Sequence, residues 1–340
     1  MTHADPVRTP GQLLRMTDGP IIHQALCATA NLGIADLLDG GPRNTAQLAD
    51  QLGVHESALY RVLRALASQG VFEESAPRTF RNTELSQFLR SGTPGSIRSL
   101  LIFRGSQFCF APFQEILYSI RTGQSARTMV LGMNGFDYLR QHPEMARIFD
   151  DAMTNISALI GPAVAAAYDF GGWGSVMDVG GGNGMLLADI LRKHPGLRGV
   201  LADLPHVLER ARLRGILGGE LEARSALQPC DFFREVPSGC RAYMMKSVIH
   251  DWDDERARKI LANCRRAIPD DGVLLLVEMA LAEANLPSAG KLADIAMMVL
   301  TGGRERTVQE YAELLADANF RLNRVLPTST DLVVVEAMPV

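Results

Sequence analysis

The sequence has few of the residues that build metal clusters, disulfide frameworks or membrane spans. Its five cysteines include no C-x-x-C pair, and no two histidines have the spacing of zinc ligands. This argues against a zinc site and a disulfide framework, and it favours buried thiols in a reducing compartment. The most apolar segment, 273–282, is interrupted by Glu278, which argues against a membrane span. Because the N-terminus lacks a basic patch followed by an apolar stretch, we expect a soluble, cytoplasmic protein.

An excess of positive charge is also absent. The 340 residues carry 34 lysines and arginines against 38 aspartates and glutamates, for a formal net charge of −4. A chain of this charge does not attract nucleic acid or anionic membranes over its whole surface, which leaves small neutral or cationic partners. The length is large for one hydrophobic core and small for three, so we expect one larger and one smaller domain.

The N-terminal part of the chain predicts a winged helix. Apolar residues recur at helical spacing through 12–38, and 44–53 and 56–69 follow as two short helices that each end at a glycine. Two short extended segments, 71–74 and 79–81, complete the outline.

This outline has two interpretations. In a DNA-binding protein, the second helix would present Arg61 and Arg64 to bases and phosphates. Only these two residues of the helix are basic, Glu56 opens it, and the whole chain is acidic. The sequence therefore favours a winged helix used for self-association.

The remainder of the chain predicts a parallel, doubly wound α/β sheet. A helical, aromatic-rich region, 95–167, is followed by a glycine-rich boundary at 169–174 and then by strands that alternate with helices. The predicted strands are 175–179, 198–203, 224–231, 242–247 and 273–279, and the predicted helices are 185–193, 205–215 and 254–268. The apolar segment 332–337 is interpreted as an antiparallel edge strand. Ligands of such sheets bind at the carboxyl ends of the strands.

The most informative motif is a glycine run at the end of the first of these strands. Three adjacent glycines, Gly180, Gly181 and Gly182, interrupt an apolar strand just before a helix, where exposed amides favour a polar ligand group. The dinucleotide pattern G-x-G-x-x-G is missing, because Met185 stands where its last glycine belongs. The observed G-x-G-x-G, preceded by Asp178, fits a smaller, cationic ligand such as S-adenosylmethionine. The alternative is a tight turn that only joins a core strand to its helix.

Acidic residues also end the next two strands. Asp203 lies 23 residues beyond Gly180, where a carboxylate can accept hydrogen bonds from both ribose hydroxyls of an adenosine. The alternative for Asp203 is a helix cap before Pro205. After the third strand, Asp231 and Phe232 can bind the amino group and the ring of adenine, or they form an ordinary turn.

A histidine follows the fourth strand. At this position His250 can act as a general base, and the alternatives are a buried structural histidine or a metal ligand. Glu278, at the end of the fifth strand, and Glu305 can flank the imidazole, hold one tautomer and raise its basicity. For Glu305 the alternative is a salt bridge to Arg304 or Arg306.

The acidic cluster beside this histidine has two interpretations as well. Asp251, Asp253 and Asp254 are able to hold a divalent cation. The favoured interpretation is that Asp253 and Asp254 cap the helix that begins there.

Taken together, these residues resemble the family of S-adenosylmethionine-dependent O-methyltransferases that includes plant caffeate and flavonoid enzymes and bacterial antibiotic-tailoring enzymes. The resemblance covers nearly the whole chain, and its most specific part is the string Lys-Ser-Val-Ile-His-Asp-Trp-Asp-Asp at 246–254. It implies cofactor contacts at Asp178, Gly180, Gly181, Gly182, Asp203, Leu204, Asp231, Phe232, Lys246, Ser247 and Ser157. It implies substrate contacts at Met153, Asp251 and Met297, and catalytic roles for His250, Glu278 and Glu305 without a metal.

The resemblance also implies a domain organisation and a reaction. It divides the chain into a winged-helix-like dimerisation domain (1–95), a helical segment that contributes to the substrate pocket (96–168) and a catalytic domain (169–340). We expect a homodimer in which His250 deprotonates a hydroxyl, most simply a phenolic one, of a small natural product. The alternatives are methyl transfer to nitrogen or carbon, a non-methylating tailoring reaction that keeps the cofactor, and a transcription regulator that senses it.

Overall fold

A computed structural model describes residues 9–340 of the chain, which divide into two compact units. The first reaches to Gln107 and the second runs from Phe108 to Val340. No helix within the described range is long and apolar enough to cross a membrane.

The first unit is mostly helical. Its helices are α1 (Pro10–Thr17), α2 (Gly19–Leu32), α3 (Ile34–Leu37), α4 (Thr45–Leu52), α5 (Glu56–Ala67), α6 (Glu84–Gln87) and α7 (Arg98–Arg104). Its strands β1 (Arg43–Asn44), β2 (Phe72–Ala76) and β3 (Thr79–Asn82) pair antiparallel in the order β1-β3-β2.

The predicted helix-turn-helix and strand pair are confirmed in this unit. Asn44 begins α4 by accepting a hydrogen bond from the Ala46 amide, and Gly53 ends it with a left-handed φ of 65°. The apolar faces of α4 and α5 are buried in one cluster together with Phe72 and Phe80 of the hairpin. The single helix expected over 12–38 is instead three helices, and Gly33, with φ of 65°, ends the second of them.

The second unit contains the large sheet. Its strands are β4 (Ser175–Val179), β5 (Arg198–Asp203), β6 (Ser225–Pro229), β7 (Ala242–Lys246), β8 (Val273–Met279), β9 (Phe320–Pro327) and β10 (Leu332–Pro339). The helices from the unit boundary onward are α8 (Gln107–Phe110), α9 (Ile116–Thr122), α10 (Ala126–Leu131), α11 (Gly135–Gln141), α12 (Pro143–Ala167), α13 (Met185–Lys193), α14 (Pro205–Arg214), α15 (Asp254–Ala267), α16 (Ala289–Leu300) and α17 (Val308–Ala316).

The sheet confirms the predicted parallel, doubly wound α/β fold. Its strand order is β6-β5-β4-β7-β8-β10-β9, and the first five strands are parallel. Successive residues of β4 belong to different apolar clusters, with Val176 in one and Met177 in the other. Both faces of the sheet are therefore buried at β4, which explains why the central strands are almost wholly apolar.

One strand prediction was wrong in its position. The segment 332–337 does form an antiparallel strand, but β10 lies inside the sheet between β8 and β9. The edge strand on this side of the sheet is β9, which the sequence analysis missed because Arg324 interrupts a short alternation of apolar and polar residues. Arg324 and Asn323 bind the buried Glu336 carboxylate of β10, so polar side chains join this edge to the sheet.

The strand order brings the predicted site residues to one edge. Strands β4, β5, β7 and β8 are consecutive in the sheet and parallel, so their carboxyl ends meet. The glycine run follows β4, and Asp203 is the last residue of β5. Lys246 ends β7 and leads into the segment up to Asp251, and Glu278 lies near the end of β8. The reversal of strand order between β4 and β7 is the usual ligand-binding crevice of such sheets.

Candidate active site

The glycine run forms a turn that only residues without a side chain can make. Gly180 and Gly182 have φ values of 73° and 60°. A Cβ on Gly181 would lie 2.5 Å from Oδ2 of Asp178 and 2.5 Å from a methyl group of Leu201. Each glycine is therefore required, for its backbone angle or for the close approach of the Asp178 carboxylate.

Asp178 is a buried carboxylate at this turn. Its Oδ2 atom has no hydrogen-bond partner in the protein over residues 9–340. Burial raises the pKa of Asp178 to about 7, although the positive charge of Lys246 opposes that rise. An acceptor that is buried, unpaired and next to exposed backbone amides is suited to a ligand that carries hydrogen-bond donors and positive charge.

Asp203 connects the end of β5 to the same turn. Its Oδ2 accepts a hydrogen bond of 2.9 Å from the Gly182 amide, and its Oδ1 accepts one of 2.7 Å from Leu204. Burial raises its pKa to about 6. The alternative interpretation as a helix cap is wrong, because Leu204 occupies the N-cap of α14 and no side chain caps that helix.

Phe232 and Trp252 form an aromatic wall beside the turn. A Cβ on Gly180 would lie 3.6 Å from the Phe232 ring, and the Phe232 and Trp252 rings meet edge-on at 6.3 Å. The neighbouring Asp231 accepts a hydrogen bond of 3.0 Å from the Phe233 amide. Phe232 was expected from the sequence, whereas the place of Trp252 in this wall was not.

His250 lies in the short helical turn that follows β7. Its Nδ1 is 2.7 Å from Oε1 of Glu305 and 3.7 Å from Oε2 of Glu278. An ionised carboxylate only accepts hydrogen bonds, so the Nδ1–H group donates to Glu305, and in the neutral imidazole Nε2 carries the lone pair. The Oδ1 atom of Asp251 lies on the Nε2 side, at 4.0 Å.

The charges around His250 are strongly coupled. Burial lowers the pKa of His250, but the Glu278 carboxylate and the hydrogen bond to Glu305 outweigh this effect and raise the pKa to about 9. Burial raises the pKa of Glu278 to about 7. Lys246, half-buried at the end of β7, has a pKa lowered by burial against the attraction of Asp178 and Glu278.

The two glutamates hold different parts of the site. Glu278 Oε1 accepts hydrogen bonds of 3.1 and 2.9 Å from the amides of Val248 and Ile249, so it fixes the backbone that carries His250. Glu305 is held by its own backbone, whose amide donates to Asp294. Both glutamates are buried.

The segment Gly302-Gly303-Arg304-Glu305-Arg306 closes over the histidine turn. A Cβ on Gly303 would overlap the His250 carbonyl oxygen, and the Arg304 amide donates a hydrogen bond of 2.9 Å to that oxygen. The buried Arg306 guanidinium donates to the carbonyls of Ile249 and Trp252, on either side of His250. Sequence reasoning missed this role of Arg306, although an arginine two residues from a predicted site glutamate was visible.

The competing interpretations of the charged residues are resolved by their partners. Glu305 forms no salt bridge with Arg304 or Arg306 in the described chain, since those arginines pair with Asp254 and Glu310. Asp253 caps α15 by accepting a hydrogen bond from the Arg256 amide, as predicted, whereas Asp254 is the first residue of the helix and pairs with Arg306.

The donor set of a metal site is nevertheless present in outline. His250, Glu278 and Glu305 are the one group of three such residues within 9–340 whose ligand atoms lie within 4.8 Å of one another. Nδ1 and Glu305 are already joined, however, and Glu278 Oε1 already accepts two amides. The expectation of a reaction without a metal remains a prediction.

Other residues of the sequence-based site lie on helices. Ser157 is buried and Met153 half-buried on α12, Met297 is half-buried on α16, and Ser247 has an unusual φ of 53°. The sequence did not indicate a hydrogen bond that joins α12 to the glycine turn. The side-chain amide of Asn183 donates this bond, of 2.8 Å, to Thr154 Oγ1. The ligand contacts assigned to these residues remain predictions.

A twisted parallel sheet with this glycine turn, these acids and this histidine defines a class I methyltransferase architecture. Residues 113–321 match the O-methyltransferase domain family model, and residues 14–92 match the O-methyltransferase dimerisation domain model. The chain belongs to this O-methyltransferase family, whose members use S-adenosylmethionine.

Similar proteins are bacterial tailoring enzymes. The chain is 42% identical over 328 residues to the phenazine O-methyltransferase PhzM of Lysobacter antibioticus, covering 96% of each chain. It is 35% identical over 306 residues to the mitomycin biosynthesis 6-O-methyltransferase of Streptomyces lavendulae, covering 89% of this chain and 87% of that protein. It is also 33% identical over 336 residues to the 8-amino-8-demethylriboflavin N,N-dimethyltransferase of Streptomyces davaonensis, covering 97% of this chain and 96% of that protein.

Solved structures agree with this assignment. The crystal structure of LaPhzM matches with a TM-score of 0.94 at 42% identity, covering 98% of this chain and 100% of that one. CalO1, a methyltransferase of calicheamicin biosynthesis in its S-adenosylhomocysteine-bound form, matches with a TM-score of 0.85 at 32% identity. The match covers 99% of this chain and 100% of that one. The methyl donor of this chain is S-adenosylmethionine, and the unpaired Asp178 oxygen and the Gly181 cradle fit that cofactor.

Proposed function

We propose that this methyltransferase methylates a hydroxyl group, most simply a phenolic one, of a small aromatic natural product, with His250 as the general base. The observation that carries the proposal is the 2.7 Å contact between His250 Nδ1 and Glu305. Because Nδ1–H donates a hydrogen bond to Glu305, the neutral imidazole presents the lone pair of Nε2 to a substrate hydroxyl.

The pKa of His250 suits its role as a general base for a phenol. Its pKa of about 9 in the protein alone is close to the value of about 10 for a free phenol, so the proton transfer is nearly balanced. S-adenosylmethionine supplies a methyl group bound to a positively charged sulfur, for which a deprotonated oxygen is a good nucleophile. The Glu278 and Glu305 carboxylates stabilise the imidazolium that forms when His250 takes the proton.

The cofactor contacts are proposed from the same geometry. Asp178 and the glycine turn would hold the amino-acid part, Asp203 the ribose, and Asp231 with Phe232 the adenine. Leu204, Lys246, Ser247 and Ser157 would complete the cofactor site, and Met153, Asp251 and Met297 would contact the acceptor.

Substitution of His250 tests the proposal. We expect His250→Gln to reduce kcat by about a hundredfold or more while the dissociation constant of S-adenosylhomocysteine changes less than about twofold. His142→Gln, at an exposed histidine of the same unit, is the matched control. Unchanged turnover in the His250 variant would contradict the assignment of the base.

Methyl transfer to nitrogen is the second candidate, and the N,N-dimethyltransferase relative favours it. An amine that is already neutral requires no base for its attack, so His250→Gln would then retain most of the activity. Mass spectrometry of products from matched hydroxyl and amino acceptors separates the two functions.

We also propose that the chain works as a homodimer through its N-terminal unit and that it acts in the cytoplasm. The match to the dimerisation domain supports the dimer, as do apolar side chains of α1 and α2 that are exposed in the single chain. These side chains are Leu13, Leu14, Met16 and Ile21. The division of the chain at 95 and 168 is part of the same proposal, and sizing in solution tests the dimer.

A further inference from the structure

Arg127, on helix α10, is a charged residue that the proposed mechanism does not use. The residue is 6% exposed, and its Nε atom has no hydrogen-bond partner over residues 9–340. The ion pairs of the described chain include no pair with this guanidinium. A buried guanidinium with no ion pair and an unpaired Nε–H is costly, and an anionic or strongly accepting group on a ligand would relieve that cost.

The surroundings of Arg127 are built to hold a guanidinium. Its central carbon lies 4.6 Å from the centre of the Phe108 ring, so one face of the guanidinium rests on an aromatic side chain. A Cβ on Gly135 would lie 2.6 to 2.8 Å from three guanidinium atoms, and only glycine leaves that space. These contacts hold the guanidinium in place and leave its Nε–H group without an acceptor.

The Arg127 guanidinium lies near Asp251, the residue that follows His250. Arg127 is close enough to Asp251 that its charge counteracts the rise that burial causes in the pKa of the Asp251 carboxyl. Asp251 Oδ1 is in turn 4.0 Å from His250 Nε2. Arg127 and the His250 Nε2 atom thus share Asp251 as a neighbour, and Nε2 is the ring atom proposed to face the acceptor.

Helix α10 is fixed to the rest of this site. The Ser125 hydroxyl, at its N-cap, contacts the carbonyl oxygens of Val299 and Leu300 at the end of α16. A Cβ on Gly302 would lie 3.7 Å from Ser125. The position of Arg127 is therefore coupled to the segment that carries Glu305.

We propose that Arg127 binds a carboxylate on the methyl acceptor, which makes the substrate class a hydroxylated aromatic acid. A planar guanidinium edge matches a carboxylate and forms paired, charge-assisted hydrogen bonds. The buried guanidinium would give the anion a counter-charge while the ring places its hydroxyl toward His250. This inference rests on the proposed methyl transfer to an aromatic hydroxyl and adds the second group that the acceptor carries.

The test measures acceptor binding without turnover. Hydroxybenzoate, hydroxynaphthoate and a tricyclic hydroxy acid are each paired with the neutral carboxamide of the same ring and titrated into the S-adenosylhomocysteine complex. We expect at least one acid to bind roughly tenfold or more tightly than its carboxamide. If no acid of the panel binds more tightly than its carboxamide, the proposal is wrong.

Variants assign the preference to one residue. Arg127→Met should remove the preference by weakening acid binding alone, and Arg127→Lys should retain part of it. Arg140→Gln, at an exposed arginine paired with Asp137 on α11, should leave the preference unchanged. An Arg127→Met protein that binds S-adenosylhomocysteine normally and still prefers the acid would overturn the proposal.

A cofactor-binding measurement on every variant separates a folding defect from a specific effect. If Arg127→Met fails to bind S-adenosylhomocysteine, the Lys variant decides, since a preference equal to that of the unaltered protein would contradict the role. Because these constants do not depend on catalysis, an absence of methyl transfer would count against the proposed function alone.

Discussion

Glu305 Oε1 lies 2.7 Å from His250 Nδ1, and this contact determines which ring nitrogen can accept a proton. The two residues are 55 positions apart in the sequence, and Glu305 reaches the ring because Gly303 lets its segment pass against the His250 carbonyl. The imidazole is thus oriented by a buried carboxylate on the side opposite to Asp251.

The pH dependence of activity should move when Glu305 loses its charge. The base form of His250 is required, so kcat/KM rises as pH increases through the pKa of His250 in the free enzyme, which is about 9. Glu305→Gln removes a negative charge that favours the imidazolium and should lower that pKa by roughly one unit or more. The pH profile of kcat/KM should shift to lower pH by that amount. A profile that stays in place would contradict the coupling.

Stability should also depend on the protonation of His250. Folding raises its pKa from the reference value of 6.5 to about 9, so its contribution is fully present below pH 6.5 and is lost as pH rises through 9. This loss is about 3 kcal/mol in the free energy of unfolding. Thermal unfolding of the cofactor-free protein between pH 6 and 10 measures it. His250→Gln should show a flatter dependence, and an equally steep one would disprove this source of the effect.

The sequence predicted the parts of the site that lie at the ends of consecutive parallel strands. Asp178, Asp203 and Glu278 each end an apolar strand, and strand order alone then brings them together. The place of His250 could be predicted for the same reason, because it follows β7 by four residues.

Residues whose roles depend on long-range packing were harder to predict. Arg306 carries no motif of its own, and its function as a donor to the Ile249 and Trp252 carbonyls appears only when the two segments meet. Arg127 sits in an ordinary helical pattern, and its burial depends on the space that Gly135 leaves. Neither feature has a periodicity or spacing that a single sequence displays.

Gly181 should be intolerant of even one additional carbon atom. In Gly181→Ala the new methyl group would collide with Asp178 and Leu201, so the carboxylate must move from its place beside the cofactor turn. We expect the dissociation constant of S-adenosylhomocysteine to rise about tenfold or more, measured by calorimetry. Gly196→Ala is the control, because a Cβ there would meet nothing within 4 Å. If both variants bind S-adenosylhomocysteine with equal affinity, the close contact of Gly181 with Asp178 is not needed for cofactor binding.

Removal of divalent metal should leave turnover unchanged. The His250 Nδ1 atom is hydrogen-bonded to Glu305, and the Glu278 Oε1 atom accepts from two backbone amides, so both donor atoms already have protein partners. We expect the same kcat after dialysis against a chelator as before, and no stimulation by added Mg²⁺ or Zn²⁺. Activity that disappears with the chelator and returns with metal would assign the cluster to a metal site instead.

Arg306 should act as a positioning residue for the general base. Its guanidinium binds the carbonyls on both sides of His250 and pairs with Asp254, a set of directions that the single ammonium of a lysine does not reproduce. Arg306→Lys should therefore lower kcat by about tenfold while the S-adenosylhomocysteine dissociation constant changes less than about twofold. Its pH profile should also shift, because the position of His250 between the two glutamates sets the pKa.

Arg304→Lys is the matched control for that experiment. Arg304 also pairs with Asp254, but its side chain is 43% exposed, and its contact with His250 is made by its backbone amide. The control should keep both kcat and the pH profile, because the lysine leaves the amide in place. If both variants lose activity equally with an unchanged pH profile, Arg306 merely supports the fold, whereas a kcat loss and a pH shift confined to Arg306→Lys would establish that it positions the imidazole.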